Sequence, residues 1–192
     1  MLREKLHEYR IILASGSPRR QQFFKDLDID FTIQLKPIEE IYPKELKGSE
    51  ITDYLADLKS KAFTNLSAKD ILITSDTIVW LDGVALGKPK NHKEAYKMLR
   101  SLSGKQHKVI TSVSIKSKNT QQLINDTTTV SFKALTDDEI NYYINNYKPF
   151  DKAGAYGIQE WIGFIGIHKI EGSYFNVVGL PVQKLYEALI KL

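Results

Sequence analysis

Residues 71–81 read ILITSDTIVWL, and no other segment of the chain has so strong a strand pattern. Apolar residues fill both ends of the segment, as in a strand that is buried on both faces of a sheet. Asp82 and Gly83 follow directly, and this pair is typical of a tight turn into a second strand. The segment therefore predicts a buried strand of an α/β protein, with the polar residues TSDT (74–77) in its middle.

Strand and helix patterns alternate on both sides of this segment. Before it, the sequence predicts strands at 10–14 and 31–35, a helix that begins at Ser17-Pro18, and a helix over about 50–65. After it come a helix ending at Gly104, β segments at 107–117 and 127–135, a helix from Thr136, a Gly-rich section at 151–163, a hairpin around Glu171-Gly172 and a helix after Pro181. This order predicts one α/β domain over residues 1–192, with a mixed, twisted sheet flanked by helices.

The composition limits the function. Of the 192 residues, 42% are hydrophobic, which is enough for a substantial core, and the formal net charge is only +4. Such a small, scattered excess suits an anionic small molecule better than nucleic acid. The absence of cysteine excludes disulfides, thiolate nucleophiles and cysteine-based zinc sites. The charged start MLREKLHEYR and the lack of a long apolar run predict a cytoplasmic protein without a secretory signal or membrane segment.

The segment SGSPRR (15–20) places two arginines at the first turn of a predicted helix. Arginines are favoured at the opposite end, because the helix dipole is positive at the N-terminus. Free backbone N–H groups and two guanidinium groups together can bind phosphate oxygens. The alternative is an ordinary helix capped by Ser17, with Arg19 and Arg20 in solvent.

Asp76 is a carboxylate within a strand that is otherwise predicted to be buried. Burying a charge is costly unless it is paired, hydrogen-bonded or bound to a metal. Asp76 is therefore a candidate metal ligand or general base, and the alternative is an aspartate that caps a neighbouring loop.

The third polar segment is DKAGAYGIQ (151–159), where small residues surround Lys152, Tyr156 and Gln159. Glycines in such a loop allow the backbone to fit closely around a ligand, and the Gln159 amide can both donate to and accept from a base edge. A plain Gly-rich connection is the alternative. Two lysines, Lys61 in KSKAF and Lys88 in GKPK, are weak candidates, because most lysines are solvated.

Together these segments resemble the Maf family of nucleoside triphosphate pyrophosphatases, once described as septum-formation proteins. The matching pieces run in the family's order from about Arg10 to the C-terminus: LASGSPRR, IEE (38–40), KA (61–62), SDTIVW, GKPK, LSGKQHKVIT, VSF (130–132), DKAGAYGIQ and GSYFNVVGLP (172–181). Residues 1–9 then form an N-terminal extension. Two departures are Ser75, where the family commonly has alanine, and EWIGF (160–164), which replaces a more usual Gly-rich continuation.

The resemblance implies an inosine-triphosphatase-like fold and cleavage between the α- and β-phosphates of a nucleoside triphosphate. It implies Asp76 as proton acceptor, a divalent metal (Mg²⁺ or Mn²⁺) on Glu40 and Asp76, and Lys61 and Lys88 as catalytic cations. It also implies that Ser15, Ser17, Arg19 and Arg20 bind the substrate. The nucleotide is the expected partner, nucleic acid and membranes are not, and a homodimer is left open.

Three positions decide the branch of the family that the chain resembles. Arg19, Thr77 and Gln159 match the Pro-Arg-Arg, Asp-Thr and Gly-Ile-Gln motifs of the branch acting on dTTP and UTP. The expected products are the nucleoside monophosphate and pyrophosphate. Two alternatives are a 7-methyl-GTP pyrophosphatase of the same family and a non-enzymatic, nucleotide-binding regulator of cell division.

Overall fold

The computed structural model describes all residues, 1–192, and its strands form one seven-stranded sheet. The strands are β1 (Arg10–Leu13), β2 (Phe31–Ile33), β3 (Asp70–Leu81), β4 (Val84–Leu86), β5 (Gln106–Lys116), β6 (Gln121–Phe132) and β7 (Ile167–Glu171). Their order is β2-β1-β3-β5-β6-β7, with β4 paired to β3. β1 is parallel to both β2 and β3. β4 is antiparallel to β3, and β7 is antiparallel to β6. The predicted mixed sheet of an α/β fold is confirmed.

Eight helices surround the strands in the sequence, and three of them begin at a side-chain cap. They are α1 (Leu2–Leu6), α2 (Pro18–Asp26), α3 (Ser49–Lys61), α4 (His92–Leu102), α5 (Asp137–Tyr147), α6 (Trp161–Gly166), α7 (Tyr174–Val178) and α8 (Val182–Leu189), with one 3₁₀ turn at Ala153–Ala155. Ser17, Asn91 and Thr136 cap α2, α4 and α5 by accepting a hydrogen bond from a first-turn backbone N–H. None of these helices combines the length and the apolar character that crossing a bilayer requires.

The chain forms two compact units, and the division falls within β3, β5 and β6. The first unit comprises residues 1–76, 111–126 and 179–192, and the second comprises 77–110 and 127–178. In the first unit, isoleucines of β1 and β3 pack with Phe24 of α2 and with leucines of α8. In the second, Phe132, His107 and Tyr156 form a buried ring cluster with centroids 5.0–5.4 Å apart. One domain over residues 1–192 stays a prediction.

Three local expectations differ from the structure. The prediction of a hairpin around Glu171-Gly172 is wrong. β7 pairs with β6, and the helix α7 follows β7 where a hairpin would need a second strand. β6 begins at Gln121, six residues before the predicted segment. Residues 1–9 contain α1, whose Leu2 and Leu6 are buried in the core of the first unit.

Candidate active site

Asp76 lies on β3 and points toward α3. Side chains alternate along a strand, so Asp76 shares its face with Thr74, whose hydroxyl donates to the carbonyl of Ala56 on α3 (2.6 Å). Asp76 is only 6% exposed. Burial raises the pKa of its carboxyl group, while the charges of Lys59 and Arg20 act in the opposite direction. A buried carboxylate is therefore kept next to two cations.

Lys59 is the cation in contact with Asp76. Its Nζ lies 2.7 Å from Oδ1 of Asp76, 3.1 Å from Oε1 of Glu40 and 3.4 Å from the carbonyl oxygen of Ser75. Sequence reasoning did not select Lys59, although a signal was present. It continues the Ile51-Leu55 spacing of four residues, and both of those residues are buried. A lysine on the buried face of an amphipathic helix is a candidate for an internal ion pair.

Arg20 is the second cation beside Asp76, and it is held by protein oxygens. Its Nε donates to the carbonyl of Gly179 (2.8 Å), and one terminal nitrogen contacts the carbonyl of Ser75 (3.2 Å) and Oγ of Ser15 (3.5 Å). Burial lowers the pKa of the Arg20 guanidinium, but arginine keeps its charge in proteins. Arg20 and Lys59 thus share the carbonyl oxygen of Ser75, the residue before Asp76.

The loop before α2 is arranged around two serines. Oγ of Ser15 accepts from the backbone N–H of Ser17 (3.3 Å), and Oγ of Ser17 accepts from the N–H of Arg20 (3.4 Å). Arg19 lies half-buried on the first turn of α2. The first unit therefore brings together Ser15, Ser17, Arg20, Glu40 and Asp76 of the expected residues.

Lys61 is placed differently from Lys59. It is 67% exposed and forms an i,i+4 ion pair with Asp57, four residues earlier on α3. The contact with Asp76 belongs to Lys59, two residues earlier. The catalytic role expected for Lys61 stays a prediction.

Thr77, Lys88 and Gln159 belong to the second unit. Thr77 is half-buried, Lys88 is exposed in the segment after β4, and Gln159 is exposed in a turn. The segments of Lys88 and Gln159 are joined, because the Gly154 N–H donates to the carbonyl of Gly87 (3.0 Å). Gly154 has φ +66°, and a Cβ there would lie 2.7 Å from Val79 Cγ2. This turn therefore requires glycine.

The two carboxylates around Lys59 have the chemistry of a divalent-cation site. The ammonium of Lys59 is a cation surrounded by oxygens of Glu40, Asp76 and Ser75. No cluster of three or more histidine, aspartate or glutamate side chains is placed to bind a metal. One or two carboxylates together with substrate phosphates are a common way for proteins to bind Mg²⁺. Glu40 and Asp76 fit that donor set.

Comparison with known proteins shows the family to which the chain belongs. The family model described as Maf-like protein matches residues 10–192. A dTTP/UTP pyrophosphatase of Flavobacterium johnsoniae is 61% identical over 193 residues, covering 100% of both chains. A dTTP/UTP pyrophosphatase of Christiangramia forsetii is 60% identical, covering 98% of this chain and 97% of its own.

A solved HAM1 protein from Coxiella burnetii shares the fold. The TM-score is 0.54 at 17% identity, over 96% of this chain and 100% of that one. With a family model over nearly the whole length and relatives at this identity, the chain belongs to the family of Maf-like proteins.

Proposed function

We propose that the protein hydrolyses dTTP and UTP to the nucleoside monophosphate and pyrophosphate. The observation that carries this proposal is the buried Asp76 carboxylate with Lys59 and Arg20 beside it. The relatives named dTTP/UTP pyrophosphatase, similar over their full length, support the substrate. A carboxylate between cations suits hydrolysis of a phosphate anhydride, because negative charge develops on the phosphoryl oxygens and on the leaving group.

The first unit supplies groups that bind phosphate. Arg19, Arg20 and the N–H groups of the first turn of α2 bind the triphosphate oxygens, with Ser15 and Ser17 shaping the loop. Lys61 acts as a further cation, and Lys88 of the second unit is proposed as another. Because the Arg20 guanidinium is held by three protein oxygens, it offers its charge in a fixed direction and loses little side-chain freedom on binding.

A divalent cation, Mg²⁺ or Mn²⁺, is part of the proposal. Glu40 and Asp76 are the residues that would hold it together with the substrate phosphates. When bound, it neutralises phosphate charge and makes a water easier to deprotonate.

Asp76 is the proposed proton acceptor. Water attacks the α-phosphorus, the bond to the bridging α–β oxygen breaks, and the proton of the water goes to the carboxylate of Asp76. Pyrophosphate leaves with the bridging oxygen. The raised pKa that burial gives to Asp76 makes it a better base than an exposed aspartate. The ammonium of Lys59 keeps the carboxylate ionised for this step.

Gln159 is the residue proposed to recognise the base. Uracil and thymine present O4 and N3–H side by side, and a carboxamide can pair with both at once. Cytosine presents the reversed pattern and leaves the amide mispaired. A polar group that the bound base buries without a partner costs about 1–3 kcal/mol, so kcat/KM for UTP and dTTP should exceed that for CTP by about tenfold or more. Thr77 and Arg19 complete the set of positions expected to govern selectivity.

The test is kcat/KM for dTTP, UTP, CTP and 7-methyl-GTP, with and without excess EDTA. Preference for dTTP and UTP, lost in EDTA and restored by Mg²⁺ or Mn²⁺, is the expected result. Preference for 7-methyl-GTP would contradict the proposed branch of the family. The absence of turnover for every triphosphate would contradict the proposed pyrophosphatase activity. The homodimer and the cytoplasmic location stay predictions.

A further inference from the structure

Gln159 lies in a tight turn of the second unit. The backbone N–H of Glu160 donates to the carbonyl of Gly157 (3.0 Å), so Ile158 and Gln159 are the two central residues of a β-turn. Ile158 is buried, whereas Gln159 is exposed. The direction in which the Gln159 side chain leaves the backbone therefore depends on the contacts that hold the ends of the turn.

One hydroxyl group holds both ends. Oη of Tyr143, on α5, accepts from the backbone N–H of Gly157 (3.0 Å) and donates to Oε2 of Glu160. The Tyr143 side chain is fully buried, and its ring stacks on Tyr147 with centroids 5.2 Å apart. Burial and the nearby Glu160 carboxylate raise the pKa of Tyr143, so its hydroxyl keeps the proton that it donates.

Lys152 contacts the second carboxylate oxygen of Glu160. Its Nζ lies 3.0 Å from Oε1 of Glu160 and 2.7 Å from Oδ1 of Asp151. The side chains of Glu160 and Lys152 are 25% and 10% exposed, so solvent screens this ion pair less than a surface pair.

The turn also packs tightly against these side chains. A Cβ at position 157 would lie 2.9 Å from Cδ of Glu160 and 3.1 Å from Cε of Lys152. A side chain at position 157 would therefore push the ends of the Glu160 and Lys152 side chains aside. Glu160 is the last residue of the turn, so its carboxylate anchors the turn through its contacts with Tyr143 and Lys152.

We propose that Tyr143 is a positioning residue for substrate selectivity. Tyr143, Glu160 and Lys152 form a group that we call the clasp. The clasp holds the turn 157–160 in place and so orients the amide of Gln159. This inference rests on the proposed function, in which Gln159 reads the pyrimidine. It adds three residues that do not touch the substrate to the set that decides which base is accepted.

The test compares Tyr143→Phe, which removes only the hydroxyl, with Tyr147→Phe, the same change on the neighbouring ring of α5. Gln159 contacts the base in both the bound and the reacting state, so loosening the turn weakens binding without slowing the chemical step. In Tyr143→Phe, KM for UTP should rise about tenfold with kcat within about twofold of wild type, and the UTP/CTP ratio should fall about tenfold. Tyr147→Phe should leave the ratio unchanged.

A merely structural role predicts a different result. Partial unfolding lowers kcat equally for UTP and CTP and leaves their ratio constant. Adding Tyr143→Phe to Gln159→Ala should produce no further loss of selectivity, because both changes act through one amide. Glu160→Gln, which keeps the size and removes the pairing with Lys152, should lower the ratio in the same direction. An unchanged ratio in Tyr143→Phe would overturn the inference.

Amide hydrogen exchange separates this inference from the proposed function. In Tyr143→Phe the N–H groups of Gly157 and Glu160 should exchange about tenfold faster than in wild type, and in Tyr147→Phe they should not. If wild type does not discriminate UTP from CTP, base reading by Gln159 fails and the positioning role fails with it. The exchange data then decide whether the clasp itself exists, and unchanged exchange in Tyr143→Phe would refute the clasp.

Discussion

Replacing Lys59 with methionine tests the central ion pair of the site. The change keeps most of the length of the side chain and removes the ammonium that lies 2.7 Å from Asp76. Removing one partner of a buried ion pair costs about 3–5 kcal/mol, because the remaining charge is left uncompensated. Arg20 still faces Asp76 in the variant, so we expect the lower end, about 3 kcal/mol. The half-exposed contact with Glu40 adds little.

Lys61→Met is the matched control. Lys61 carries the same charge on the same helix, but its ion pair with Asp57 is exposed and should contribute about 0.5 kcal/mol or less. Urea unfolding of both metal-free variants at neutral pH should therefore show a difference of at least about 2 kcal/mol between them. The difference should shrink as the pH falls, because a protonated Asp76 leaves no uncompensated charge to bury.

Activity provides a second measurement on the same pair. Without Lys59 the pKa of Asp76 should rise further above its ordinary value, since an opposite charge has been removed. The acid limb of the pH–rate profile should move to higher pH in Lys59→Met and stay in place in Lys61→Met. Equal losses of stability in the two variants, or an acid limb that moves with Lys61, would refute the assignment of Lys59.

Three further predictions follow from buried polar groups. Asp76→Asn keeps the shape and removes the charge, so kcat/KM for UTP should fall by about 10²–10⁴-fold with an unchanged circular dichroism spectrum; activity above about a tenth of wild type would exclude Asp76 as the base. The buried Oγ of Ser75 has no hydrogen-bond partner, so Ser75→Ala should raise the free energy of unfolding in urea by about 1 kcal/mol, and a loss would contradict this. Burial lowers the pKa of His107 from 6.5 to about 4. Protonation of His107 therefore does not reduce the free energy of unfolding above pH 6.5, and it should reduce it by about 3 kcal/mol as the pH drops to 4. Unfolding titrations of His107→Gln should be shallower in that interval, and an unchanged slope would show that His107 is not responsible.

Local signals predicted most of the elements that carry the site. The apolar run of β3 and the caps Ser17 and Thr136 act within a few residues, so the sequence alone identifies them. The hairpin at Glu171-Gly172 failed for the opposite reason. A turn signal does not show whether a second strand has a partner, and here the residues after Gly172 form α7. The polar start of the chain concealed α1, in which only Leu2 and Leu6 face the core.

For the site, too, the sequence pattern alone identifies only residues with a local signal. Local signals select Asp76 and Arg20, because a carboxylate in a buried strand and arginines at a helix start are unusual on their own. Glu40 is selected only through the resemblance to the family. Lys59 and Tyr143 are unremarkable residues in amphipathic helices, and only the packing of α3 against β3 and of α5 against the turn of Gln159 gives them a role. Residues that act through another side chain have no local signature.

Hydrolysis of UTP in ¹⁸O-labelled water tests the proposed reaction most directly. Attack of water on the α-phosphorus places the label in UMP and releases unlabelled pyrophosphate, and separation of the products by anion exchange with mass spectrometry measures both. We expect one labelled oxygen in UMP for each turnover, with no UDP at early times. Label in pyrophosphate, or UDP and orthophosphate as the first products, would contradict the account.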